Sequence, residues 1–153
     1  MNGISFNINL LIPFKDNKGD RLKVVCSDVE RFRKELDDRV DRLKNDIDAK
    51  ITGSELTIAA RSDGNSEKYY WRFKNSSRDR KYNRLHAEPV IEYLGVLNYD
   101  ISAWLVEVEE ELIYINANLK LVKGILDAID QVSEEKKDLF NVNLHNLPVP
   151  ESS

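Results

Sequence analysis

The chain has one cysteine, two histidines, four prolines and six glycines among 153 residues. A single cysteine, Cys26, excludes an internal disulfide, and with only His86 and His145 beside it a structural zinc site cannot be assembled in the usual way. So few turn-forming residues disfavour a β-sandwich and favour long helices with few breaks. No apolar run reaches the length of a membrane span, about 18 residues, and no basic-then-apolar leader opens the chain. The expectation is a cytoplasmic protein with no membrane partner. Catalytic signatures are also missing: there is no glycine-rich phosphate loop, no Gly-x-Ser-x-Gly elbow and no His-Glu-x-x-His pair. His86 with Glu88 is the nearest approach to an acid/base or metal pair, and a solvated surface histidine is the plainer reading. Cys26 lies just before an expected helix start, where a thiolate would be stabilised, but a buried structural thiol explains it as well. Neither enzymatic activity nor a cofactor or metal is expected.

What is present is charge, at 33% of residues, beside a hydrophobic fraction of 41% that can still fill a core. The formal net charge of −4 hides a segregation. Residues 61–84 hold Arg61, Lys68, Arg72, Lys74, Arg78, Arg80, Lys81 and Arg84 against Asp63, Glu67 and Asp79, a local excess of +5. Residues 100–135 hold nine acids against Lys120 and Lys123, giving −7. Attraction for an anion depends on charge within about 10 Å, so a basic island in an acidic chain points to a local anion-binding surface. The alternative is that the two segments neutralise each other inside the fold.

The hydrophobic pattern gives the elements. Ile4, Phe6, Ile8, Leu10 and Ile12 alternate with polar residues, as in a half-buried strand. Residues 22–25 could return as a strand or belong to a helix beginning as early as Asp20. Ser27 and Glu30 fit a capping box, and Val29, Phe32, Leu36, Val40, Leu43 and Ile47 then form a helical stripe that ends near Lys50. Residues 55–74 predict a β-hairpin. Pairing Ser62 with Glu67 sets Ala60 against Tyr69, Ile58 against Trp71 and Leu56 against Phe73, collecting the apolar side chains on one face. Arg61, Lys68, Tyr70, Arg72 and Lys74 then occupy the other. A basic connection follows, which could form a helical turn, then a short helix opened by Pro89 and a turn with an N-cap at Asn98 and Asp100.

The last helix, about 101–132, carries Leu105, Leu112, Leu119 and Leu126 interleaved with Ile101, Val108, Ile115, Val122 and Ile129, a seven-residue repeat. That stripe can be spent against the first helix or in self-association. Trp104, Ile113, Tyr114, Leu121 and Ile125 widen it, implying more than one neighbour. Gly124 inside the helix suggests close backbone packing there. Phe140-Asn141-Val142-Asn143-Leu144 echoes Phe6-Asn7-Ile8-Asn9-Leu10, so two terminal strands could pair. The fold expected is α+β and helix-dominated, with two long amphipathic helices packed with an antiparallel β-hairpin, plus short terminal strands. Residues 1–147 form a single domain in this reading, with 148–153 as a flexible tail.

Nucleic-acid surfaces combine Arg and Lys for phosphates with aromatics that stack on bases. The hairpin and its connection supply both: Arg61, Lys68, Tyr70, Arg72, Lys74, Arg78, Arg80, Lys81, Tyr82 and Arg84. A competing reading is a protein-interaction module, a phage- or plasmid-encoded inhibitor or an oligomeric adaptor. It would use the acidic helix residues Glu107, Glu109, Glu110 and Glu111, or the terminal strands. Over about residues 55–130, the YYWRFK segment, the connection SSRDRKYNR and the helix WLVEVEEELIYINANLKLV resemble an uncharacterised family carried by integrating conjugative elements of bacteria. That resemblance implies an accessory role in handling mobile-element DNA, with no catalytic residues to carry over.

Overall fold

The computed structural model describes residues 20–63, 66–75, 81–142 and 148. It is a helix-dominated α+β fold with the chain order α1 (Asp20–Lys50), β1 (Leu56–Asp63), β2 (Ser66–Phe73), α2 (Glu88–Gly95) and α3 (Tyr99–Phe140). The chain falls into two compact units, one of residues 30–123 and one of residues 1–29 with 124–153. The candidate site lies wholly in the first.

In that unit α1 presents Phe32, Leu36, Val40, Leu43 and Ile47 inward, each 9% exposed or less. Turns of 3.6 residues place these on one stripe. Opposite it, α3 buries Leu105, Val108, Leu112, Ile115, Leu119 and Val122. The two helices run antiparallel, since Arg39 of α1 meets Glu111 of α3 while Lys50, eleven residues on, lies 4.1 Å over the ring of Trp104. The seven-residue repeat of this part of α3 is therefore spent within the chain. β1 and β2 pair with the register the side chains require: Ser62 with Glu67, Ala60 with Tyr69, Ile58 with Trp71 and Leu56 with Phe73. Leu56, Ile58, Tyr69, Trp71 and Phe73 are all buried, Trp71 completely. Burying a side chain of that size contributes about 2–3 kcal/mol. α2, with Pro89 in its first turn, adds Val90 and Tyr93, and the Tyr93 ring stands edge-on to Phe73 at 6.0 Å.

Several expectations are corrected. Residues 20–27 are helical, with the start at Asp20 that the sequence left open, so Ser27 lies inside α1 and not at its N-cap. The reason is that the apolar stripe reaches back through Leu22, which is buried in the second unit with Val29, Ile125 and Ile129. Burial along a continuous stripe outweighs the preference of one serine for a cap. The end of α1 falls at Lys50 as expected, and Gly53 completes the turn with φ 70°, a conformation that L side chains rarely adopt. α3 is longer than the repeat, running to Phe140 because Ser133–Lys137 is rich in helix formers and Gln131 donates to Glu135 at 3.1 Å. Phe140 is thus helical rather than the start of a strand. The strand expected over 4–12 and residues 143–144 lie outside the described residues. Ile113, Tyr114 and Leu121 are half or more exposed. A Cβ at Gly124 would meet nothing within 4 Å, so no close packing inside the fold demands glycine there. No described helix is long and apolar enough to cross a membrane.

Candidate nucleic-acid interface

The interface is built on β2, whose two edges are both occupied. One edge pairs with β1. On the other, Asn83 of the basic connection comes alongside the strand, Trp71 N donating to Asn83 O and Asn83 N to Trp71 O, both at 2.8 Å, before a turn in which Ala87 N donates to Arg84 O at 3.0 Å. Two residues away, Tyr69 N donates to the Asn116 carboxamide oxygen at 2.7 Å, and the Asn116 amide donates back to Tyr69 O at 2.9 Å. The side chain of α3 thus stands in for a strand, leaving that stretch of edge without unsatisfied backbone groups.

The Trp71–Asn83 pairing sets the positions beside it. Counting outward in antiparallel register brings Arg72 beside Tyr82 and Tyr70 beside Arg84. The side chains meet accordingly. The Arg72 guanidinium lies 5.0 Å from the Tyr82 ring centre and donates to its hydroxyl at 3.3 Å. Arg61 reaches the same ring at 5.7 Å, and Tyr70 approaches it edge-on at 6.2 Å. Across the hairpin, Thr57 and Ala59 pair with Arg72 and Tyr70, so β1 contributes a low floor, and Lys68 pairs with Arg61. The outward surface is therefore rows of arginine, lysine and tyrosine over small residues. Guanidinium–ring contact of this kind is worth about 0.5–1 kcal/mol at exposed sites. It holds Arg61 and Arg72 against the Tyr82 ring.

Not every candidate belongs to this surface. Arg84 starts in the same row, with its guanidinium 5.4 Å from the Tyr70 ring. It then turns inward to an ion pair with Glu109, whose other carboxylate oxygen accepts the Trp71 indole N–H. Burial pushes the Arg84 guanidinium below the ordinary arginine range, with Tyr70 opposing. Arg84 and Glu109 are thus internal struts. Lys74 is exposed and pairs with Asp48 of α1 at 2.9 Å, a contact that salt screens. Lys81 is exposed. Arg78 and Arg80 lie outside the described residues.

The four acids of α3 do not form one face. Glu107 and Glu110 are exposed, Glu109 is buried, and Glu111 is half-buried against Arg39, with Arg39 Nη2 donating at 2.9 Å. That hydrogen bond raises the Arg39 pKa. At 100° per residue four near-consecutive positions wrap round a helix, so composition alone overstated an acidic patch. Sequence reasoning also missed Asn116. A signal existed: Glu109 and Asn116 are seven apart and border the buried stripe, where a polar residue needs an internal partner. Tyr69, beneath the interface, donates to Asp37 of α1 at 2.7 Å. Burial first, and then this bond, raises its phenol well above the ordinary value of 10.0. Among the described residues no group of histidine, cysteine and carboxylate side chains could hold a metal ion. Compared with family models, curated proteins and solved structures, the chain matches none.

Proposed function

We propose that the protein is a non-enzymatic accessory factor that contacts nucleic acid through the outer face of the β1–β2 hairpin and the connection beside it. The observation that carries this reading is the gathering of Arg61 and Arg72 round Tyr82, with Tyr70 and Lys68 alongside. Phosphates would take the guanidinium and ammonium donors, and bases would stack on Tyr70 and Tyr82, an arrangement suited to a single strand. Two carboxylates of α3, Glu111 and Glu109, take Arg39 and Arg84 as their partners. A role in mobile-element DNA handling is what the resemblance over residues 55–130 implies, and a strand-binding surface fits it.

The test is fluorescence anisotropy with labelled single-stranded and duplex oligonucleotides. Tyr82→Ala should weaken single-strand binding about tenfold, the value of one lost stack, while thermal melting stays cooperative. Unchanged affinity in that variant, or tighter binding to duplex than to single strand, would remove the stacking role.

A further inference from the structure

A second surface of the first unit has no role in this reading. On α3, Val106, Ile113, Tyr114 and Leu121 are between 51% and 61% exposed, although the same helix keeps its buried stripe below 10%. At 100° per residue Ile113 and Val106 stand about 40–60° round α3 from Glu109, which with Asn116 faces the hairpin, and Tyr114 and Leu121 stand further round. Surface leucines and valines occur singly on any protein, but here they are ordered. Val106, Glu110, Ile113, Ala117 and Lys120 follow one another at spacings of 4, 3, 4 and 3, a second coiled-coil seam beside the one the fold consumes. Val106, Glu110, Ala117 and Lys120 are all exposed along with Ile113.

We infer that a second copy of this chain docks on that seam, α3 against α3 in antiparallel orientation about a two-fold axis level with residue 115. The charges select both the partner and the register. In this arrangement Glu110 of each copy faces Lys120 of the other, twice by symmetry, and the bulky Ile113 faces the small Ala117. A parallel pair in register would set Glu110 against Glu110 and Lys120 against Lys120. An antiparallel pair slipped by one heptad would place Glu110 opposite Ile113, or Ala117 opposite Lys120, and would lose both ion pairs. Only one register joins opposite charges and interleaves large with small side chains. Tyr114 and Leu121, one position further round the helix, border the contact and extend its apolar area.

Sedimentation equilibrium over a concentration series tests this, with far-ultraviolet circular dichroism to confirm the helix content of each variant. The wild-type chain should reach twice the monomer mass. Glu110→Lys and Lys120→Glu should each raise the dimer dissociation constant about tenfold, because attraction becomes repulsion at two symmetric places. The double variant Glu110→Lys/Lys120→Glu should restore the wild-type value. Ile113→Glu should yield a folded monomer. A wild-type chain that stays monomeric throughout, whatever else covers the face, overturns the inference. So does a double charge swap that fails to restore the dimer, since an antiparallel Glu–Lys contact is indifferent to which helix supplies which sign.

Discussion

The side chains that decide most in this fold are polar ones placed where the chain is dry. Glu109 accepts the Trp71 indole N–H and pairs with Arg84, which fixes the hairpin to α3. Removing one partner of such a pair strands the other, at a cost of about 3–5 kcal/mol, whereas replacing both by apolar residues is far less harmful. Glu109→Leu should therefore lower the free energy of unfolding by that amount in urea titrations, and Arg84→Leu/Glu109→Leu should recover more than half of it. Asn116→Leu should cost about 1–3 kcal/mol, since Tyr69 N then loses its acceptor and Tyr69 O keeps only the longer bond from Arg84 at 3.4 Å. Tyr69 makes stability depend on pH. Its pKa in the folded state lies above the ordinary 10.0, so its contribution is whole below that value and is lost as pH climbs beyond it. Urea midpoints should thus fall as pH rises past about 10, and Tyr69→Phe should flatten that decline.

At the level of elements, the hairpin register could be read from the sequence because one slip would exchange Trp71 for Arg72 on the buried face. The long helices were equally legible, since the spacing of Leu36, Val40 and Leu43 in α1, or Leu105, Leu112 and Leu119 in α3, has no other use. The start of α1 was not, because a Ser–Glu pair resembles a capping box wherever it falls, and only burial of Leu22 shows that the helix begins earlier. Ser27→Ala should consequently leave stability unchanged or raise it by about 0.5 kcal/mol, as alanine is the better helix former. A loss near 1 kcal/mol in thermal melts would instead mark a working cap. The site was half legible. Alternation along β2 put Tyr70 and Arg72 outward, but the return of Asn83 to Trp71 depends on a pairing that no local pattern announces. For the same reason Arg84 looked like a surface cation.

For the whole molecule, charge is distributed by function of place rather than by sequence segment. Part of the basic island is built into the fold through Arg84, and part of the acidic helix is built in through Glu109 and Glu111, each with an arginine partner. What remains outward round Tyr82 is the cationic surface on which the proposed role depends. Binding that rests on phosphates releases counterions, so its strength falls linearly on a logarithmic salt scale, with a slope set by the number of contacts. The decisive measurement is the salt dependence of oligonucleotide affinity for the wild-type chain and for Arg61→Gln/Arg72→Gln. A steep slope in the wild type, reduced by about two in the double variant, is the expected result. An affinity that does not respond to salt, or identical slopes for the two proteins, would contradict the assignment of this face to nucleic acid.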